Sequence, residues 1–158
     1  MKEKKELGFV EKTKKIRLAG MSGSPSPNRV GRDLESCGSI DERIERILGI
    51  VNKENRRASD MIFFVMYDIS SNKVRSQVVK YLIEKGCVRV QRSIFLADLD
   101  TKIYNEIKED LAMVQEAYEN EDSILIVPLS TDYLKSMKII GQNIDVDLIT
   151  RNKSTLFF

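Results

Sequence analysis

A single carboxylate, Asp68, follows directly on the most apolar stretch of the chain. Residues 62–67 read Ile-Phe-Phe-Val-Met-Tyr, and the polar run Ser70-Ser71-Asn72 comes shortly after them. A short apolar run rich in β-branched and aromatic residues, bounded by turn formers, is typical of a buried strand. Asp68 then lies at the carboxyl end of that strand, where open α/β sheets usually place their chemistry. The alternative is that Asp68 is a turn or cap residue ahead of the next helix.

The chemistry available to the chain is limited by its composition. There is no histidine, and the two cysteines, Cys37 and Cys87, do not form a C-x-x-C pattern. This excludes Ser-His and Cys-His nucleophilic catalysis and zinc sites that need imidazole. Catalysis would have to come from carboxylates, lysines, tyrosines or a bound metal ion. The cysteine usage also favours a reducing compartment.

The length of 158 residues is enough for one domain with a substantial core. No apolar run reaches the roughly 18 to 20 residues of a membrane span, and no signal core follows the charged start. We therefore expect a cytoplasmic protein with no membrane segment.

Charge is unevenly distributed along the chain, although the formal net charge is only +2. Residues 73–92 carry six bases and one acid, whereas residues 98–147 carry twelve acids and four bases. This asymmetry indicates one surface that attracts polyanions and another that repels them or receives a basic protein. Two ordinary solvent-exposed helix faces of opposite sign are the alternative.

The chain divides into three parts. Residues 1–38 combine charge with Gly, Ser and Pro and show no sustained period, so we predict a flexible basic arm. Residues 39–60 form an N-terminal extension, in which Ser39 and Glu42 make a capping box for one amphipathic helix starting at Ile40. Residues 61–158 hold the main domain, including a strand over 122–130 that we expect to be buried.

The main domain has the predicted order β-α-β-β-α-β followed by a C-terminal strand. Weaker strand candidates lie at 137–141 and 156–158. This is the α+β, ferredoxin-like plan. Both helices should cover one sheet face, and the second face then needs cover. A second copy of the chain is the simplest cover, so we predict a homodimer.

Such a dimer could bring two copies of Asp68 together across its axis. Two carboxylates with water oxygens suit Mg²⁺ or Mn²⁺, which offers a route to phosphodiester hydrolysis without histidine. One carboxylate per chain is fewer ligands than most metal-dependent nucleases use. If the two Asp68 residues of a dimer lay far apart, the dimer would bind duplex DNA without cleaving it. The residues that could contact phosphate are Ser70, Lys73, Arg75, Arg89 and Arg92.

Three motifs together resemble one known family. They are Tyr67-Asp68-Ile69-Ser70 with its basic helix, the run 89–95 (Arg-Val-Gln-Arg-Ser-Ile-Phe), and the run 122–129 (Asp-Ser-Ile-Leu-Ile-Val-Pro-Leu). Over about residues 60–158 the chain is similar to the small CRISPR-associated adaptation protein, the second Cas family, often described as an endoribonuclease. Compact members begin near the first strand, so the extension before residue 60 is a departure from that pattern.

The resemblance implies a homodimer whose C-terminal strand packs on the partner's sheet. It also implies spacer acquisition, in which the dimer bridges two dimers of the integrase (Cas-one) and lies along protospacer duplex DNA. Asp68 matches the family's metal-binding aspartate, which implies Mg²⁺-dependent endonuclease activity on DNA or single-stranded RNA in some members. The arginines match its DNA-facing surface in character.

Two other functions fit the same fold. One is a toxin-like endoribonuclease that acts alone on cellular RNA, for which the acidic tract 98–147 would have no use. The other is a regulatory or ligand-binding dimer, since a common fold does not fix a function.

Overall fold

The computed structural model describes residues 9–18, 37–117, 121–141 and 144–147. The elements, in chain order, are α1 (Phe9–Leu18), α2 (Ile40–Val51), β1 (Asp60–Asp68), α3 (Asn72–Glu84), β2 (Val88–Gln91), β3 (Ile94–Asp100), α4 (Thr101–Glu116), β4 (Ser123–Leu129), α5 (Thr131–Lys135), β5 (Lys138–Gly141) and β6 (Ile144–Asp147). Among these described residues, no helix is long and apolar enough to cross a membrane.

Four strands form one antiparallel sheet in the order β2-β3-β1-β4. With α3 and α4 as its two connecting helices, this is the ferredoxin-like arrangement, so the predicted α+β fold is confirmed. β1 is central because its residues are apolar on both faces and it pairs with β3 and β4. β5 and β6 pair with each other in a separate two-stranded sheet.

The first face of the sheet packs under α3 and α4. Phe63 and Val65 of β1 are fully buried there, together with Val78 of α3 and Ile107 of α4. Each helix starts at a side-chain cap: Ser71 accepts from the Val74 N–H, and Asp100 accepts from the Lys102 N–H. The chain therefore enters each helix at a fixed angle, and the helices cover one face as predicted.

The second face is partly covered by the N-terminal extension. The Ser39–Glu42 capping box is formed, and α2 buries Ile44, Ile47 and Val51 against the sheet. Together with Leu134 of α5, α2 covers the half of this face that carries Ile62, Val90, Leu96 and Leu129, here called the covered half. The prediction that a second copy supplies this cover is wrong for the covered half, because α2 supplies it within the chain.

The other half of the second face is less protected. Strand register places Met66 beside Leu125 on this face, and Val127 follows Leu125 two residues further along β4. Met66 and Val127 are half-buried and Leu125 is 59% exposed, whereas Phe64 packs with the covered half. We call Met66, Leu125 and Val127 the open half. It adjoins the Asp68 end of β1.

Three predictions along the chain need correction. The strand predicted over 122–130 is not a buried inner strand, because β4 lies at the edge of the four-stranded sheet that the described residues form, beside β1. No helix was expected in residues 1–38, yet residues 9–18 form α1, whose Lys15 pairs with Glu116 of α4 at 3.1 Å. The third is the cover of the second face, which α2 supplies in part within the chain. The strand candidate at 156–158 lies outside the described residues.

A buried acid anchors the extension to the sheet. The side chain of Asp98 on β3 is only 3% exposed, and its Oδ2 lies 3.1 Å from Arg56 Nε and 3.3 Å from Lys53 Nζ. Arg56 also donates to the Ile50 carbonyl through Nη2 at 3.1 Å. A buried carboxylate is costly unless it is paired, so these contacts fix the loop after α2 over β3.

We expect Arg56→Ala to lower the free energy of unfolding by about 2 kcal/mol. Removing one partner of a buried ion pair costs about 3–5 kcal/mol when the other charge is left alone, and here Lys53 remains to offset part of that cost. Urea denaturation followed by circular dichroism would measure it, with the exposed Arg57→Ala as the matched control. Equal midpoints for the two variants would show that the Asp98 pairing contributes little.

Acid should weaken the fold through Asp60. The Arg57 N–H donates to this carboxylate at 3.0 Å and Lys53 lies 3.5 Å away, so the pKa of Asp60 is held below its usual value of 3.8. A lowered pKa contributes stability that is present above pH 3.8 and is lost as the pH falls through the lowered value. Asp60→Asn should therefore reduce the pH dependence of the melting temperature below pH 4. If the melting temperatures of Asp60→Asn and the wild type fall equally below pH 4, Asp60 does not make this contribution.

Candidate nucleic-acid interface

Asp68 lies at the carboxyl end of β1, as predicted. It is exposed and sits opposite Ser123, the first residue of β4, in the antiparallel register. The start of β4, the loop into α3 and the turn between β2 and β3 all meet at this end of the sheet. Of the residues predicted to contact nucleic acid, Ser70 and Arg92 lie in these connections, Lys73 and Arg75 lie in the first turn of α3, and Arg89 lies on β2.

Asp122 is a second acid at this end, and it was not among the predicted site residues. Its Oδ1 accepts from both the N–H and the hydroxyl of Ser70, at 2.9 and 2.6 Å. Both donors of Ser70 therefore point to Asp122, which argues against the predicted contact between Ser70 and a phosphate. The signal for Asp122 was its position before β4: antiparallel pairing places the start of β4 beside the end of β1.

Arg75 is half-buried and braces the loop after Asp68. Its guanidinium donates to the Ile69 carbonyl at 3.4 Å and also to Asn72 Oδ1. Arginine has five donors, so these two bonds leave others that could meet a phosphate. Arg75 thus holds the loop and adds positive charge at the same time.

Arg89 has a different position from the one predicted. It is 7% exposed, its guanidinium donates to the Arg92 carbonyl, and it lies over the Phe95 ring at 5.8 Å. The buried position argues against a phosphate contact and gives Arg89 a role in shaping the β2–β3 turn. Its own carbonyl accepts from Arg46 of α2 at 2.9 Å, so the turn is also tied to the extension.

The two best-placed cations are Lys73 and Arg92, whose side chains are both exposed. Lys73 lies in the first turn of α3. Arg92 lies in the β2–β3 turn, which is fixed beside β1 because the Tyr67 hydroxyl donates to the Arg92 carbonyl at 3.2 Å. Burial raises the pKa of that hydroxyl, while the positive charges of Arg89 and Arg75 act to lower it. Positive charge is therefore concentrated around the Asp68 end.

Few candidate ligands for a divalent ion lie at the Asp68 end within the described part of one chain. Within the residues that the structure describes, no group of three or more acidic, histidine or cysteine side chains could hold a metal ion. Asp68 faces solvent, and Asp122 already accepts two hydrogen bonds from Ser70. Mg²⁺ takes near-octahedral oxygen coordination, often through one or two carboxylates with several waters.

Cys87 is not a candidate nucleophile. It is buried, and burial raises the pKa of its thiol to about 12. The reactive thiolate is therefore scarce at neutral pH. This agrees with the exclusion of cysteine catalysis from the sequence.

The fold and the site define a ferredoxin-like α+β domain with an exposed acid and a set of basic residues at one end of its sheet. Residues 61–137 match the family model described as CRISPR associated protein Cas2. Over these residues the domain therefore belongs to the Cas2 family of CRISPR-associated proteins. The matched segment runs from β1 to the end of α5, so α1, α2, β5 and β6 lie outside it.

Proposed function

We propose that this chain is a CRISPR adaptation protein that acts in spacer acquisition by binding protospacer duplex DNA. The observation that carries the proposal is the grouping of Lys73, Arg75 and Arg92 at the Asp68 end of the sheet. Exposed cations fixed on rigid elements contact phosphates without reading sequence, which suits a protein that must accept many different spacers.

The proposal includes a homodimer formed through the open half of the second face. Leu125 is 59% exposed although it belongs to an apolar strand, and among the described strands β4 pairs with β1 alone. A second copy placed here would bury Leu125 and Met66 on both protomers. The unpaired edge of β4 would receive the C-terminal strand of the partner, the mode that the family resemblance implies.

In this dimer the two copies of Asp68 would lie near the two-fold axis, because the open half adjoins Asp68. Two carboxylates and water oxygens would then hold Mg²⁺ or Mn²⁺, which supplies charge stabilisation for phosphodiester hydrolysis. Endonuclease activity on DNA or single-stranded RNA is thus a second proposal, and it depends on the dimer. The DNA-binding role does not depend on it.

The proposed partners beyond DNA are the integrase dimers that the Cas2 dimer would bridge. Acidic residues of α4, among them Glu109 and the half-buried Asp110, offer a surface to a basic protein. A stand-alone endoribonuclease of the same fold would have no need of such a surface.

The experiment is co-purification of the full chain with a CRISPR integrase (Cas-one), in the presence and absence of a short duplex. We expect a complex that contains both proteins and the DNA. Recovery of the chain alone, with cleavage of single-stranded RNA and no retention of duplex, would favour the endoribonuclease instead.

A further inference from the structure

The extension contributes a large part of the core on the second face of the sheet. Ile44 is fully buried and Ile47 is 4% exposed, and they pack with Leu96, which is also fully buried. α2 precedes the segment that matches the Cas2 family, yet it closes one half of that segment's sheet. An apolar sheet face of this kind, if uncovered, would be a site for protein association.

Polar contacts hold α2 and the loop after it at two separate places. Arg46 Nη1 donates to the carbonyls of Cys37 and Arg89, at 3.0 and 2.9 Å, on the side of β2. At the other end, Arg56 and Lys53 pair with Asp98 of β3. The loop after α2 is thus tied to the same face that the helix covers.

The position of Asp98 indicates that this part of the face packs against the loop after α2 rather than against a second sheet. It pairs in register with Ile62, and alternation with Phe95 and Ala97 places its side chain on the second face. Its Oδ1 atom is buried and has no hydrogen-bond partner among the described residues. A second apolar sheet packed on this half would displace Lys53 and Arg56. The buried Asp98 carboxylate would then have no positively charged partner, which is energetically costly.

We propose that α2 and the loop 53–56 permanently cover the covered half and are held there by the ion pairs of Asp98, here called the lock. A second copy of the chain can then bind only at the open half. The cover itself does not depend on the proposed function. Only the identity of the second occupant, another copy of this chain, rests on the proposed dimer.

The lock can be tested by limited trypsin digestion of the full chain. Cleavage inside α2, at Arg43 and Arg46, requires the helix to open. In Lys53→Ala/Arg56→Ala, Asp98 is left buried without cations, so we expect cleavage at these two arginines to rise at least about tenfold. Adding Asp98→Ala removes the stranded charge and should restore protection. Equal cleavage in all three proteins would overturn the lock.

The restriction can be tested by crosslinking on one strand. Leu125 and Leu129 lie on the same face of β4, four residues apart, one in the open half and one in the covered half. In a Cys37→Ser background, Leu125→Cys should form crosslinked dimers with a bifunctional maleimide, and Leu129→Cys should not. In the lock-free Lys53→Ala/Arg56→Ala protein, Leu129→Cys should begin to crosslink.

Each outcome separates the two claims. Equal crosslinking from Leu125→Cys and Leu129→Cys in the otherwise intact chain would overturn the restriction. Failure of both positions to crosslink would overturn the restriction and the proposed dimer together, while the trypsin result would still decide whether α2 is locked. If the lock-free protein unfolds as judged by circular dichroism, the comparison in the intact chain remains decisive.

Discussion

Reversing two charges at the Asp68 end should weaken binding of duplex DNA roughly 100-fold at moderate salt. The variant is Lys73→Glu with Arg92→Glu, the two exposed cations that the α3 start and the β2–β3 turn place at this end. Each lost phosphate contact should also lower the slope of log affinity against log salt by about 0.9. Fluorescence anisotropy of a labelled duplex, measured over a range of salt concentrations, gives both quantities.

The matched control is Lys102→Glu with Lys135→Glu, which changes the net charge equally at the opposite end of the sheet. Lys102 follows Asp100 and Lys135 ends α5, and both are exposed. The control should keep most of the affinity and nearly the whole salt slope. If both double variants lose the same affinity, binding follows net charge and the Asp68 end is not the DNA path.

Asp68→Ala should lower Mg²⁺-dependent cleavage of RNA or duplex DNA about 1000-fold. A bound divalent ion contributes several kcal/mol of charge stabilisation, and each 1.36 kcal/mol is about a factor of ten in rate. The change removes the carboxylate from both protomers of the proposed dimer and so leaves no protein ligand at the axis. DNA affinity should be kept, since Asp68 only adds negative charge beside the cations.

An exposed aspartate on α5 supplies the control, because Asp132→Ala removes the same charge far from β1's carboxyl end. Cleavage that persists in Asp68→Ala would place the activity elsewhere or in a contaminant. A wild-type chain that does not cleave would remove the nuclease proposal and leave the DNA-binding role in place.

The order of elements in the main domain could be predicted because each boundary has a local cause. The capping box at Ser39 and Glu42 starts α2, and Gly86, with a φ of +95°, ends α3 in a backbone conformation that favours glycine. β1 was recognisable because an unbroken apolar run of this length suits a central strand. These signals depend on neighbouring residues only, so one sequence suffices to read them.

The partners of each face could not be predicted in the same way. The apolar stripe of α2 shows that the helix must pack on something, but it does not say whether the sheet lies in the same chain or another. Asp98 gave no signal of its own, since an acid before a helix is far more often a cap than a buried anchor. Nor does the apolar run of β4 reveal that it lies at an edge.

At the candidate site, the sequence predicted the acid and the general position of the cations. It could not distinguish Arg89 from Arg92, because alternation in a short strand next to a turn does not show which arginine points inward. The structure separates them: Arg89 is 7% exposed and supports the turn, while Arg92 faces solvent. Asp122 was missed because its link to Ser70 joins residues far apart in the chain.

The most direct measurement is sedimentation equilibrium of the full chain at micromolar concentration, alone and with a short duplex. The chain mass is 18.1 kDa, and we predict a particle of twice that mass that binds one duplex without dissociating. A folded chain that sediments as a monomer under both conditions would contradict the pairing of two copies beside Asp68.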